Sequence, residues 1–381
     1  MIRQPKRTTW NVEGKISADS LAAQLAEAAE NPDGTRILWT PQTVSGSLAL
    51  TRIPCVILSA DDSLLIFLET TGKPEGPFGS RLILMSAEDW SVIKIVDLPD
   101  RYLKKLAFVP GTLKIAALCA AQKECKQVAG VLCLDLQSGK EDRFQQTETG
   151  IGERTFLVDS NRNLIVSHPK RAELLVLPLE SQQNHVIKVA AADAVAALSP
   201  DGKEIAVIGP AHAGQIEIFR TTDWMPAATV SVEKTTRVAK IQFLRGNKAF
   251  LLCGDPAFSA NSVIVRPGNT IELDGLASGM ALTPGNGKKI YHLTGNNNEI
   301  QELDSSSGML YRTILTDRAE PRFARPGPGP GTVQHFFYIP FCNGLAMLDS
   351  NGNFFLIPAD RTENYKGKND ERAVIFQCKG L

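Results

Sequence analysis

The chain has 381 residues, 43% hydrophobic and 22% charged, with Lys plus Arg and Asp plus Glu both numbering 41. That composition excludes disorder throughout, and a formal net charge of +0 gives no long-range field to gather nucleic acid, so nucleic acid is not an expected partner. No apolar run reaches the roughly 18 to 20 residues that cross a bilayer, so no membrane span is expected.

Residues 1–45 read as an N-terminal extension. Met1 to Thr9 is basic with no apolar segment behind it, so no secretory leader is read. Ser17 to Glu30 (SADSLAAQLAEAAE) is rich in Ala, Leu and Glu, with Ser17 as N-cap and Asn31-Pro32-Asp33-Gly34 as a stop, which predicts one short helix. Its stripe of Leu21, Leu25 and alanines is too thin to organise a core and is expected to cover a surface.

From residue 46 onward one pattern recurs. It is clearest at Ala194–Trp224, where an apolar run ends at Pro200-Asp201-Gly202-Lys203, a second run holds Ile205, Val207 and Ile208, and Ile216, Ile218 and Phe219 follow a Gly-rich loop. Alternation with period two, bounded by turn residues, predicts half-buried strands, and Asp-Gly is a strong hairpin dipeptide. With Pro200 as anchor, the copies align at Ala60, Pro110, Asp159, Arg245, Pro284 and Pro326, with gaps of 50, 49, 41, 45, 39 and 42. A second landmark, a short strand ending in a polar turn, recurs at Trp90, Lys140, Asn184, Trp224, Asn269, Gly308 and Asn353. Each unit then reads as four antiparallel strands a to d, and such units must stack on neighbours to bury both faces. Ser47–Thr51 and Ala373–Cys378 are extra strands, either of which could latch the ring or form an eighth, split unit.

LSPDGKEIAV followed by QIEIFRTTDW resembles the repeats of WD-repeat, YVTN-type and TolB-like β-propellers, as a pattern over residues 53–360. The resemblance implies an all-β, seven-bladed propeller over residues 46–381, eight blades being the alternative. The Gly-His pair of eukaryotic WD repeats is missing, and the terminal Trp-Asp appears reversed as Asp89-Trp90 and Asp223-Trp224. Neither a repeated tryptophan docking motif nor a Gly-x-Ser-x-Gly elbow is present, so no catalytic residue is assigned.

His168, His292 and His335 fall eight or nine residues after an anchor, on or at the end of strand b, and could converge on a metal; packing is the preferred reading, since a one-residue shift reverses the face. No metal site and no cofactor is expected. Cys119, Cys125 and Cys133 lack paired metal spacing, and Cys55, Cys253, Cys342 and Cys378 are scattered, which favours a reducing, cytoplasmic compartment; a Cys119–Cys125 disulfide, with a periplasmic or secreted location after leader removal, is the alternative. Asp159–Asn163 and Asp349–Asn353 superficially resemble calcium loops but read as turns. The run PGPGPG from Pro326 reads as a loose loop.

In a ring of such units the a–b and c–d turns share one face, and the b–c and d–a connections the other. The second face carries the long insertions, Thr70–Gly79, Ala120–Gly130 and Asp255–Asn261 with Phe258, and also Gly209–Gly214 with His212. The d–a connections add Arg101, Tyr102, Arg154, Asp193, Arg237 and Arg322 near the channel. The expected function is a monomeric, non-catalytic module that binds a protein or peptide on this face, or alternatively a lactonase-like or glycan-acting propeller enzyme with its site at the channel mouth. A scaffold domain of a longer chain is the third reading.

Overall fold

The computed structural model describes residues 21–28, 37–38, 52–59, 61–72, 78–87, 91–99, 101–123, 126–146, 151–180, 184–210, 214–232, 237–244, 249–254, 261–273, 280–284, 287–294, 299–315, 333–340, 343–349, 354–359 and 374–376. Seven antiparallel sheets follow one another along them, covering residues 52–99, 101–146, 156–188, 195–231, 238–272, 280–315 and 333–376. In each, the four strands pair in chain order, so each sheet is one blade with strand a innermost and strand d outermost.

Strand b explains why the blades must pack. In blade 1, Leu64, Ile66 and Leu68 join a core cluster with blade 2, while Leu65 and Phe67, on the other face of the same strand, join a cluster with blade 7. Ile115 and Ala117 against Ala116 and Leu118 do the same in blade 2. Both faces of these strands are buried, which is why they read as unbroken apolar runs instead of alternating ones. Seven core clusters occupy the seven seams between neighbouring blades, including the one between blades 7 and 1. The ring is closed, and the fold is a seven-bladed β-propeller.

A left-handed residue marks the a–b turn in most blades. Asp62 (φ 59°), Arg162 (φ 62°), Gly202 (φ 69°), Gly287 (φ 60°) and Asn343 (φ 47°) each donate a backbone N–H to the residue three before, at 2.8 to 3.1 Å. The c–d turns are longer. Gly139, Trp224 and Gly308 lie at positive φ and donate to the residue four before. The reversed Asp-Trp pair follows from this: the Asp223 carboxylate accepts from Met225 N at 3.0 Å, and Trp224 takes the strained position that glycine fills in blades 2 and 6.

The seventh blade departs from the expected register. Pro326 is not its a–b anchor: strand a is Val333–Ile339, the turn runs from Pro340 to Asn343, and strand b is Gly344–Asp349. The triple Pro-Gly run is a stronger turn signal in sequence than Pro340 and Asn343, so the expected register lies one strand early. His335 therefore lies on strand a, and the landmark Asn353 lies outside the described residues. Val374–Phe376, expected as a latch or as part of an eighth blade, is instead strand d of blade 7, paired with Phe354–Pro358. Ser47–Thr51 lies outside the described residues. Among those described, no strand crosses from one blade's sheet into another's, so packing of side chains closes the ring.

Two features before blade 1 extend it. Ile37–Leu38 pairs antiparallel with the outer edge strand Ser91–Pro99. The helix Leu21–Ala28 places Leu25, 0% exposed, and Ala22 in the core cluster of blades 1 and 2, and Ala22 N donates to Ser63 Oγ at 3.1 Å. Covering a surface was the expectation; the helix also contributes to a core.

Candidate functional site

Two of the long insertions are strand over their described residues. In blade 1 pairing continues to Gly72 and Phe78, and in blade 2 to Lys123 and Lys126, so strands b and c run on as a paired ribbon into both b–c connections. The side-chain constellation on the loop-bearing face lies elsewhere, at the entries to blades 3, 4 and 5.

Gly152, on the way into blade 3, donates its N–H to Ser167 O at 2.8 Å. A Cβ there would sit 2.3 Å from Ser167 Oγ and 2.9 Å from Asp193 Oδ1, so only glycine permits this approach. Asp193, on the way into blade 4, bends the chain at φ 50° and donates its N–H to His168 O at 2.8 Å. These two turns bring Arg154 and Asp193 together: Arg154 Nε donates to Asp193 Oδ2 at 2.9 Å. The same guanidinium reaches Val238 O, 3.4 Å away at the start of blade 5, and Thr155 Oγ1 donates to Ala194 O at 2.7 Å. Val238 N in turn donates to Pro210 O of the blade 4 b–c connection at 3.1 Å. One arginine thus ties the entries of three successive blades. The pair is about one-third exposed on both sides, so solvent screens it and its worth to stability is about 1 kcal/mol or less.

Beside the pair, Ser167, His168 and Asp193 share a neighbourhood without forming a nucleophile–base–acid relay. His168 Nδ1 accepts from Lys170 N at 3.1 Å and Arg171 N at 3.0 Å, capping its own b–c loop, while Ser167 Oγ donates directly to Asp193 Oδ1 at 3.4 Å. The ring is 6% exposed, and its Nε2 has no partner among the described residues. Next to it, Glu173 accepts from Lys188 Nζ, and this hydrogen bond, aided by Arg171, holds its carboxyl below the usual carboxylate range.

The remaining sequence-predicted residues are distributed as follows. Arg237 is exposed beside Val238. Arg101 forks onto Glu141 (2.6 and 3.0 Å) and lies 5.5 Å from the centre of the Phe144 ring, so it is engaged within its own blade. Tyr102 is half-buried at the start of blade 2. Phe258, His212 and Arg322 lie outside the described residues. The histidines do not share a site: His168 belongs to blade 3, His292 to strand b of blade 6 and His335 to strand a of blade 7, and no metal-binding group occurs among the described residues. His292 is fully buried with neither ring nitrogen bonded among the described residues, and burial pulls its pKa down to about 4. Cys55, Cys119, Cys133 and Cys253 are buried free thiols whose pKa values burial raises, that of Cys119 to about 12. Cys125 lies outside the described residues. At Asp159–Asn163 the Asp159 carboxylate accepts from Asn161 N, Asn163 N and Asn163 Nδ2 at 2.7 to 2.9 Å, which is turn chemistry.

Sequence reading missed a buried cluster at the seam of blades 6 and 7. Glu302, 1% exposed, pairs with Lys289 (2.5 Å) and Arg312 (2.6 Å), and Arg312 Nη2 donates across to Ala359 O. Tyr291 stacks on Tyr338 with centroids 6.2 Å apart, and burial first, then Glu302, pushes its hydroxyl up to about 12. The alternation of Glu299–Asp304 could have flagged Glu302 as inward-facing, since it shares the buried face with Ile300.

Comparison with solved structures places this architecture. The chain is similar to a crystal structure of the Cps50 (Swd1) β-propeller domain of Myceliophteria thermophila, at 11% identity and a TM-score of 0.52, over 80% of this chain and 95% of that one. It is also similar to the dihydro-heme d1 dehydrogenase NirN in complex with DHE, at 13% identity and a TM-score of 0.53, over 80% of this chain and 64% of that one. The shared feature is the propeller fold. No sequence family matches the chain, and no curated protein does.

Proposed function

We propose that this protein is a non-catalytic propeller module that binds a protein or peptide on the face bearing the b–c and d–a connections, with the contact centred on Arg154, Asp193 and Arg237. Residues 46–381 form the binding domain and residues 1–45 an extension of it. The observation that carries the reading is the Arg154 guanidinium, held between Asp193 and the Val238 carbonyl at the channel mouth, with exposed Arg237 beside it. A held arginine loses little freedom on binding and offers a planar fork to carboxylates and carbonyls, which is why arginine is enriched at binding hot spots. The bonds already made by Ser167 and His168 favour recognition over nucleophilic chemistry there. The buried free thiols fit a reducing compartment, and the protein acts as a monomer.

A random peptide library selected on the whole protein tests this. Selected peptides should lose about tenfold or more in affinity for R237E and R154A, roughly the worth of one interfacial arginine, and keep it for K203A on the opposite face. Equal binding by all three variants would remove the site from that face. A second reading, a propeller enzyme with its site at the same mouth, draws on NirN being a dehydrogenase in complex with DHE. It predicts that small aromatic or sugar-like ligands, rather than peptides, protect this mouth from exchange.

A further inference from the structure

We propose that the rim of blade 6 is a second docking surface, on the face of the a–b and c–d turns, and that it takes an amphipathic helix with an acidic flank from a partner protein.

In four blades strand d carries one extra residue against strand c. Ile93 in blade 1, Asp142 in blade 2, Ala227 in blade 4 and Tyr311 in blade 6 are each skipped in the pairing register. Such a bulge re-aims its side chain out of the regular ladder. The first residue of strand b shows how each bulge is met. In blade 2 Lys114 pairs with Asp142. In blade 1 the two positions are Leu64 and Ile93, both buried in one core cluster with Ala22 and Leu25, and the helix Leu21–Ala28 lies against the strand Ser91–Pro99. In blade 6 they are Lys289 and Tyr311, with the ammonium 5.8 Å from the centre of the ring. Nothing buries Tyr311: it is 75% exposed, and its neighbours Met309 and Leu310 are 71% and 54% exposed. The other large apolar side chains exposed among the described residues, Ile95, Val186 and Met225, stand singly, whereas a contiguous apolar patch marks an interaction site.

The patch is held from both neighbouring blades. Arg266 of blade 5 donates Nη2 to Ser305 O at 2.9 Å and also to Ser306 O. Gly308 holds φ 73°, and a Cβ there would meet Ile271 Cγ2 at 3.1 Å and Leu273 Cδ2 at 3.2 Å, so the turn is seated on blade 5. On the other side Arg312 pairs with buried Glu302 and donates to Ala359 O of blade 7. An apolar surface fixed in this way loses little freedom on binding, which favours it as an anchor.

Blade 1 shows which element fits such a rim. There the chain's own helix covers the bulge, sinks Ala22 and Leu25 into the core, and donates Ala22 N–H to Ser63 Oγ at 3.1 Å beside the a–b turn. Charge then sets the flank of the blade 6 occupant. Lys288 and Lys289 are exposed next to the patch. The carboxylates near them are already engaged: Glu302, 1% exposed, lies between Lys289 and Arg312, and Asp304 accepts from Ser306 N and Ser307 N at 2.9 and 2.8 Å. A helix with an apolar stripe for Met309 and Tyr311 and carboxylates for the two lysines matches this surface in shape and sign.

The probe is a displayed library of helical peptides, an alanine-rich frame with one face randomised, selected on the whole protein and depleted on a Tyr311→Ser variant. Recovered peptides should carry Asp or Glu beside large apolar residues. Their affinity should fall about tenfold or more in Y311S, roughly the worth of one aromatic anchor, and a few-fold in K288E or between about 0.05 M and about 0.5 M salt. It should be unchanged in R154A and R237E, on the opposite face. A proline in the middle of the peptide helix should abolish binding. Tyr311 is exposed, so Y311S should keep the wild-type melting temperature; M309S reads the same patch should Y311S fail to fold. The proposal is overturned if no peptide distinguishes the wild type from these variants, if the proline is tolerated, or if K288E and salt leave affinity unchanged. Self-association of the protein alone that Y311S abolishes also overturns it, because the patch would then belong to a second copy.

Discussion

The seam between blades 7 and 1 and the seam between blades 3 and 4 join neighbouring sheets in different ways. At the first, Leu65, Phe67, Ile83 and Met85 of blade 1 meet Ile339, Ala346 and Leu348 of blade 7, and among the described residues no strand is shared across this seam. At the second, a similar apolar core of Ile165, Val176, Ala196 and Val207 is topped by Gly152, Thr155, Ser167, His168 and Asp193, hydrogen-bonded to one another. The apolar seam carries stability without directional demands. The polar cap adds little net stability but holds a guanidinium in one orientation, because hydrogen bonds depend on angle where dispersion does not. In this ring, closure and the oriented arginine belong to different joints.

The largest effect should come from the closing seam. Phe67→Ala removes a fully buried ring, and denaturant unfolding should show a loss of about 3 to 5 kcal/mol. A loss below about 1 kcal/mol, the level of a screened ion pair, would mean that packing there does not hold the ring.

A third seam adds a pH axis. His292, between blades 5 and 6, titrates at about 4 in the folded chain against about 6.5 when unfolded, so the unfolded state binds more protons between those values. Stability should be full above about pH 6.5 and fall by about 3 kcal/mol as the pH drops through about 4. Urea midpoints across that range should show this for the wild type, and His292→Leu should remove that part of the slope.

At the polar cap the expected costs are smaller. Gly152→Ala forces a methyl against Ser167 and Asp193 and should cost about 1 to 3 kcal/mol, the usual range for overpacking. Arg154→Ala should change thermal stability by about 1 kcal/mol or less while it weakens peptide binding. A large stability loss from Arg154→Ala would erase the distinction between the two joints.

Much of the ring was legible because its turns carry chemistry. Asp62, Arg162 and Gly202 sit at one left-handed position preceded by Ser59, Asp159 and Ser199, whose side chains cap the turn, and this spacing survives where the strands diverge. Blade 7 is harder to place from sequence because Pro326–Gly331 is rich in turn residues, while the working turn at Pro340–Asn343 is compositionally plain. Arg154 and Asp193 were singled out from their place on d–a connections. Their pairing was not readable, since it depends on a glycine that admits no Cβ and on an aspartate at positive φ.

The most direct test of the account is the footprint of a selected peptide, read by amide exchange at neutral pH on the whole protein. Protection should concentrate at residues 168–172, 189–194 and 237–238, and should weaken in R154A. Protection at the opposite turns, residues 199–204 and 340–343, with the first group unchanged, would contradict it.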